Sequence, residues 1–430
     1  MNHRQVIQDS LDYIEANLKT DLSAQELASL AGYSLFHYYR LFQSATGMSV
    51  MQYILRRKLL HSIYEISRGY KRIDVIGCYG FDTYSGFYKA FLREFGCTPT
   101  VYLKKNRAKK PYRVNLCQEE HMELTHKKAR EILKAWNLPL EPLSDIYNEN
   151  IGSKIENALY AGQNYVLKFT PNLGDVQKSI ALSAALTGSG LNTAAVQPAA
   201  NGAEFIQDGG LYFFLTNRLP GKPLSVSDLH NDDTARSMGE AIGKLHLALR
   251  EIRTVVNEAN LLDTLSTWAM PTAQKAMGLP RSFCDNFLST IGCLYPSLPR
   301  QVIHRDPNPG NLLHDGSTWG FLDFTLSEHN VRIYDPCYAA TAILSESFSP
   351  GITDPFPQWI AVYQNLFAGY HCVIGMSPAE REAVPYILLA NQLICTAWFS
   401  GQEKYAELFA LNKTMTQWLI DHFDQLQLNA

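Results

Sequence analysis

Apolar residues recur at helical spacing from the start of the chain. Ile7, Leu11, Ile14 and Leu18 fall on one face of a segment over residues 5–18. In the next stretch, DLSAQELASLAGYSLFHYYRLFQSATG, Ser23 and Glu26 predict a capping-box start, and Leu27, Ala28 and Leu30 form a short apolar stripe. Ala31-Gly32-Tyr33 predicts a tight break. Ser34 then caps a second helix over about 35–45, with Tyr38, Leu41 and Phe42 inward. Phe36, His37, Tyr39 and Arg40 are left on its outer face. Two short helices joined by a glycine turn, the second with a polar outer face, are the design of a helix-turn-helix.

The pattern returns 48 residues later in VIGCYGFDTYSGFYKAFLREFGCTP. Gly80-Phe81 predicts the turn, Asp82 the cap, and Phe87, Phe91 and Phe95 the buried stripe. Tyr84, Ser85, Tyr88 and Lys89 form the outward set. Between the copies, SVMQYILRRKLLHSIYEIS reads as one long amphipathic helix. It is long enough to hold two recognition helices about one DNA turn apart, ~34 Å.

Beyond residue 113 the periodicity changes. Residues 118–136 predict an amphipathic helix (Met122, Ile132, Leu133, Trp136), and GSKIENALYAGQNYVLKFTP predicts two strands around a turn at residues 161–164. Lys168 lies inside the second strand, Tyr165–Phe169. A lysine in an apolar strand either faces an anion or snorkels to the sheet edge. A helix over 176–188 and further strands follow, then a helix with Met238, Ile242, Leu245 and Leu249 on one face. VIHRDPNPGNLLH predicts a strand, a tight loop and a strand, and WGFLDF another short strand. Asp306, Asn311 and Asp323 are thereby expected to cluster near one hairpin.

Composition separates the two regions. Residues 1–113 carry 17 basic and 9 acidic residues, whereas the rest carry 21 basic and 32 acidic. A polyanion is the partner that such a basic first quarter suits, although solvated Lys and Arg also serve plain solubility. KKNRAKK at 104–110 is either a phosphate-tracking tail or a soluble linker. Length and a 46% hydrophobic share indicate two or three globular domains. No long apolar run or secretory signal is apparent, and the eight cysteines are scattered without CxxC pairs. A cytoplasmic protein with reduced thiols and no membrane contact is expected.

Residues 5–107 resemble the DNA-binding domain of the AraC/XylS transcription regulators, through Gly80, Phe81, Phe87, Phe91, Phe95, Gly96 and Pro99. The resemblance implies double-stranded DNA as partner. It places Phe36, Tyr39 and Arg40, then Tyr84, Ser85, Tyr88 and Lys89, at base- and phosphate-facing positions. Ile76 stands where the family has a small residue. Gly77 and Gly86 each weaken a helix by about 1 kcal/mol.

Two carboxylates and an amide are oxygen ligands suited to a Mg²⁺ that also carries nucleotide phosphates, and a carboxylate free of metal can accept a hydroxyl proton. The order Lys168, FFLTNRLPGKPL, Leu245-His246, HRDPNPGN, LDF and Tyr334-Asp335-Pro336 resembles the aminoglycoside phosphotransferase and choline-kinase-like family over roughly 140–430. The resemblance implies ATP and Mg²⁺ as cofactors and a hydroxyl-bearing small molecule as acceptor. It makes Asp306 the catalytic base, with His304 and Asp335 orienting and bracing its loop. Asn311 and Asp323 hold the metal and Lys168 contacts the phosphates. Residues 217–222, with Asn217 and Leu219, link the lobes beside adenine. Three departures stand out: only Gly152 in the loop before Lys168, no Glu in helix 176–188 (Gln177, Lys178 and Ser179 instead), and Phe324-Thr325 after Asp323.

The expected fold is thus multidomain. An all-α double helix-turn-helix domain (1–107) and a basic linker (108–117) precede an α+β, protein-kinase-like bilobal domain (118–220 and 221–430). Its activity is either phosphorylation of the acceptor or ligand sensing without turnover. Glu346, Asp354, Glu380, Glu382 and Glu403, with Trp359, Trp398 and Phe399, either welcome a cationic acceptor or are surface acids and core aromatics. Oligomeric state is left open.

Overall fold

A computed structural model describes the chain except residues 1–2, 106, 109, 112, 117–123, 125, 139–141, 148–153, 253–255, 349–353, 403–404 and 429–430, with Glu156 and Val226 described by backbone only. The chain divides into two compact units, Met1–Leu173 with Val196–Arg218, and Gly174–Ala195 with Leu219–Ala430.

The first unit opens with α1 (His3–Ala16), α2 (Ala24–Leu30), α3 (Leu35–Thr46), α4 (Val50–Ser67), α5 (Arg72–Cys78), α6 (Tyr84–Phe95) and α7 (Pro99–Lys104). Hydroxyl caps start them: Ser23, Ser34 and Ser49 each accept a backbone N–H of the first turn. Gly47 and Gly96 end α3 and α6 at left-handed φ of 79° and 67°, where a Cβ would be strained. Three local expectations change. The cap of α6 is Thr83, which accepts the Gly86 N–H, rather than Asp82. Only half of the first capping box forms, because the Glu26 carboxylate accepts from the Tyr13 hydroxyl at 3.0 Å instead. Leu30 is 62% exposed, since α2 is too short to bury more than Ala24, Leu27 and Ala28.

The two modules have separate cores. Tyr38, Phe42 and Tyr53 belong to the first, and Phe87, Phe91 and Phe95 to the second. Helix α4, 18 residues and so about 27 Å long, spans both. Adjacent arginines at its middle reach opposite ways: Arg57 holds Glu15 of α1, and Arg56 holds Glu94 of α6 at 2.8 Å. Both pairs are buried, so breaking either leaves an uncompensated charge and the module spacing loses its anchor.

The same unit continues with α8 (His126–Leu133), which passes into a 3₁₀ turn ending at Trp136. Met122, on the predicted face of this helix, lies outside the described residues. An antiparallel sheet follows, built from β1 (Leu143–Tyr147), β2 (Lys154–Ala161), β3 (Tyr165–Thr170), β5 (Val196–Gln197), β6 (Ile206–Asp208) and β7 (Leu211–Asn217). Its order is β1-β2-β3-β7-β5, with β6 on β7. Lys168 pairs across β3 with Ala158 of β2 and Phe214 of β7.

The second unit contains α9 (Leu173–Ala185, all but its first residue) and β4 (Asn192–Thr193). Then come α10 (Val226–Leu229), α11 (Asp232–Leu249), α12 (Leu261–Thr264), a π turn (Leu265–Ala269), α13 (Met270–Met277) and α14 (Arg281–Leu294). Strands β8 (Arg300–Ile303), β9 (Leu312–His314), β10 (Trp319–Phe321) and β11 (Glu328–Val331) precede α15 (Tyr334–Ser347), α16 (Phe356–Ile374), α17 (Pro378–Phe399) and α18 (Ala406–Asp421). Its core lies among α11 and α13–α17. Helices α11 and α16 meet at Gly239 and Gly369. A methyl on Gly239 would stand 1.9 Å from the Leu366 carbonyl oxygen, and one on Gly369 1.9 Å from that of Arg236.

The expected single hairpin around residues 302–314 does not form. β8 pairs with β11, and β9 pairs with β10. Pro307 and Pro309 lack the N–H groups that a ladder needs, and Arg305 at φ 75° turns the chain away. Among the described residues no helix is long and apolar enough to cross a membrane.

Candidate active site

The loop between β8 and β9 is held from beneath. Asp335, at the start of α15 and fully buried, accepts the backbone N–H of His304 on one oxygen and of Arg305 on the other, both at 2.8 Å. His246 of α11 donates Nε2–H to the same carboxylate at 2.9 Å, and the Tyr370 hydroxyl of α16 donates to His246 Nδ1 at 2.8 Å. A buried carboxylate survives only when its lone pairs are satisfied, and here three donors do so.

His304 works on both sides of the loop. Its Nε2–H donates to the Leu322 carbonyl at 2.8 Å, and its Nδ1 accepts the Asp306 N–H at 3.3 Å. The ring is fully buried, so it faces backbone rather than a substrate. It links the segment carrying Asp306 to the one carrying Asp323.

Asp306 and Asn311 touch. The Asn311 side-chain N–H donates to the Asp306 carboxylate and carbonyl, each at 3.0 Å, and Asn308 donates to the other carboxylate oxygen at 2.9 Å. Burial pushes the Asp306 carboxyl up, against the donors around it, and the Asp323 carboxylate adds to the rise. Asp323 is exposed, at φ 58°, and its Oδ1 accepts the Thr325 N–H at 3.3 Å. Positive φ at a non-glycine residue is uncommon and gathers at functional sites; of the three such residues among those described, Arg305 and Asp323 flank the cluster and Asn137 does not.

Tyr338 of α15 was invisible in the sequence: its hydroxyl donates to Asp306. It follows Asp335 by three residues, so the same helical face carries the loop brace and this donor. His246 was visible only as part of the family order, and nothing in the sequence tied it to Asp335.

The amide nitrogen of Asn311 is turned to Asp306, which leaves its carbonyl oxygen as the atom a hard cation would take. Among the described residues no three His, Cys, Asp or Glu side chains converge as a self-sufficient metal cage. The donor set of Asp323 and Asn311 fits a cation that brings other oxygens with it. In the first unit, the Asn217 Oδ1 and Thr216 Oγ1 are buried with no hydrogen-bond partner. An orphaned acceptor beside a hydroxyl at the end of β7 suits an amino-bearing ring. Leu219 begins the next stretch of the second unit and is buried with Ala194 and Leu313. Lys168 lies on β3 of the first unit, part-exposed between buried Leu167 and Phe169. Gly152 is outside the described residues.

In α9, Lys178 rather than a carboxylate faces inward. Its ammonium donates to the Thr325 carbonyl and, at 3.5 Å, to that of Ser327, with Asp175 3.6 Å away. It clamps the segment just after Asp323.

Trp359 takes the second of its two expected roles, that of a core aromatic, whereas Glu380 is neither a pocket acid nor a surface one. Glu380 is fully buried in a two-pronged pair with Arg332 (2.7 and 2.8 Å), and Trp359 is a core residue donating to the Ala340 carbonyl. Trp398 is 48% exposed and forms an aromatic trio with Phe399 and Tyr405. Glu403 is outside the described residues.

On the recognition helices, Phe36, His37 and Arg40 of α3 and Ser85 and Lys89 of α6 are exposed. Tyr39, Tyr84 and Tyr88 are half-buried rather than fully outward: Tyr39 and Tyr84 pack on the module cores, and the Tyr88 ring lies against Tyr84. Arg40 lies over the Phe36 ring at 5.9 Å, and His37 stacks on Tyr33.

The profile of a helix-turn-helix domain matches residues 27–105, and that of the phosphotransferase enzyme family matches residues 149–381. The transcriptional regulator Rob of Salmonella typhimurium is 27% identical over 158 residues, 35% of this chain and 55% of that protein. The chain therefore spans about half the length of that relative. A microcompartment-associated aminopropanol kinase has a similar fold (TM-score 0.53, 16% identity, 70% of this chain and 99% of that one). So does an amicoumacin kinase solved with AMP-PNP and Ca²⁺ (TM-score 0.52, 14% identity, 70% and 100%). With that match over more than half its length, the chain belongs to the phosphotransferase enzyme family and carries an AraC-type helix-turn-helix domain ahead of its kinase-like fold.

Proposed function

We propose that this protein is a DNA-binding regulator whose rear domain binds ATP with Mg²⁺ and phosphorylates a small hydroxyl-bearing acceptor. The contact between Asp306 and Asn311, fixed from below by His304 and Asp335, carries the reading. Asp306 receives the acceptor's hydroxyl proton, and Asn308 and Tyr338 hold its carboxylate in place for that. Asp323 and the Asn311 carbonyl would hold Mg²⁺, which when bound neutralises phosphate charge. Asn217 and Leu219 border the adenine, and Lys168 meets the phosphates. His304 and Asp335 position and do not touch substrate. The domain limits 1–107, 118–220 and 221–430 and a cytoplasmic location belong to the same proposal. So does an amine-bearing acceptor, in keeping with the aminopropanol named for one structural neighbour.

A second reading, a ligand sensor without turnover, is favoured by one observation: α9 offers Lys178 where the family has a glutamate. Purified protein mixed with ATP, Mg²⁺ and a panel of amino alcohols and aminoglycosides decides between the two. Acceptor-dependent ADP release supports the first, and nucleotide binding without release supports the second.

The front domain is expected to shift duplex DNA with an affinity that falls steeply with salt. Arg40→Ala is expected to flatten sequence preference, by about 1–3 kcal/mol at one base pair. Unchanged selectivity in a binding-site selection would remove Arg40 from the groove.

Lys178→Met is expected to free the segment after Asp323 and raise the Mg²⁺ concentration for half-maximal ADP release roughly 10–100-fold, with Lys178→Arg intermediate. An unaltered Mg²⁺ titration would make Lys178 a packing residue only.

A further inference from the structure

The first unit contains a cavity of about 270 Å³ that belongs to neither site described above. One wall comes from α4 and α6 of the helix-turn-helix domain, through Arg56, Arg93 and Glu94. The other comes from α8 and β1, through Lys127, Arg130 and Asp145.

Its acids are already engaged. Glu94 takes Arg56 at 2.8 Å, while Asp145 takes His126 at 3.4 Å and Lys154 at 3.3 Å. Burial pushes the Asp145 carboxyl up, but His126, Lys154 and Arg56 together outweigh it and hold the group down at about 2, so it stays charged and paired. Arg93, Lys127 and Arg130 are exposed at the rim and form no ion pair among the described residues. Three uncompensated cations around a concavity focus a positive potential into it. The volume is just below the range of drug-sized pockets, which suits a compact ligand. Two guanidinium forks match a phosphate better than a monovalent carboxylate.

We propose that this cavity is an effector site for a small phosphomonoester dianion, held by Arg93, Arg130 and Lys127. A ligand bridging α6 to α8 ties the second recognition helix to the start of the sheet. It therefore shifts DNA affinity by whatever differential affinity it has for the two arrangements. The inference does not require phosphotransfer at Asp306. If transfer occurs, its product has this chemistry.

The test is calorimetric titration of the full chain with phosphoethanolamine at fixed ionic strength, with ethanolamine as the phosphate-free control. Saturable binding is expected for the wild type. It should weaken roughly tenfold or more in the double variant Arg93→Gln/Arg130→Gln, whose side chains are at the surface. The Asp323→Asn variant should bind as the wild type does, which separates this cavity from the nucleotide site. The proposal is overturned if phosphoethanolamine does not bind, or if the double variant binds it unchanged. It is equally overturned if the double variant loses only DNA affinity, because the cations then serve backbone phosphates.

Discussion

Asp306→Asn is expected to lower acceptor-dependent ADP release by a factor on the order of 10²–10⁴, with nucleotide binding and the unfolding midpoint unchanged. Asparagine keeps the shape and one oxygen to accept from Asn308 or Asn311, but it takes no proton. The loop itself is insensitive to the change. Its backbone is carried by Asp335 through the N–H groups of His304 and Arg305, and by His304 through that of Asp306. Rate and binding should therefore part company. A variant with full turnover would show that the hydroxyl proton leaves by another route. One that also lost nucleotide would show that Asp306 holds the cation rather than the acceptor.

Gly239→Ala is expected to destabilise the protein by about 3 kcal/mol, the upper end for overpacking. The obstacle is backbone, not a side chain able to swing aside: the new methyl would meet the Leu366 carbonyl at 1.9 Å. Gly369 meets Arg236 in the same way, so neither helix can yield without moving the other. Relief means separating α11 from α16. His246 lies two turns along α11 and Tyr370 is next to Gly369, and their 2.8 Å bond supports Asp335. Activity should then fall further than the loss of folded protein explains. Denaturant unfolding of Gly239→Ala beside Gly239→Ser, with specific activity corrected for folded fraction, checks this. A midpoint equal to wild type would mean the helices do not cross as tightly as the two glycines require.

Local periodicity made much of the front domain legible. Tyr38, Phe42, Phe87, Phe91 and Phe95 are buried as their spacing predicts, because in a short helix the apolar face must find the core. Where the prediction failed, competition between neighbours decided. Thr83 displaced Asp82 as cap by one position, and Tyr13 drew Glu26 out of its capping box. Arg56 and Arg57 look like any pair of surface cations in the sequence. Only the fold shows them reaching to opposite modules.

The chemistry divides in the same way. Residue types and spacing by themselves determined which groups this protein has available: carboxylates at 306 and 323, an amide at 311, a lysine in a strand, and a repeated helix-turn-helix pattern. Those are properties of side chains at short range along the chain, where the spacing limits what they can do. Tertiary structure alone decided what holds them. Asp335 is 31 residues from His304 and 89 from His246, Tyr338 reaches the Asp306 loop from α15, and Lys178 grips carbonyls 147 and 149 residues away. Hydrogen bonds across such separations form only once burial has removed competing water. No local pattern specifies them.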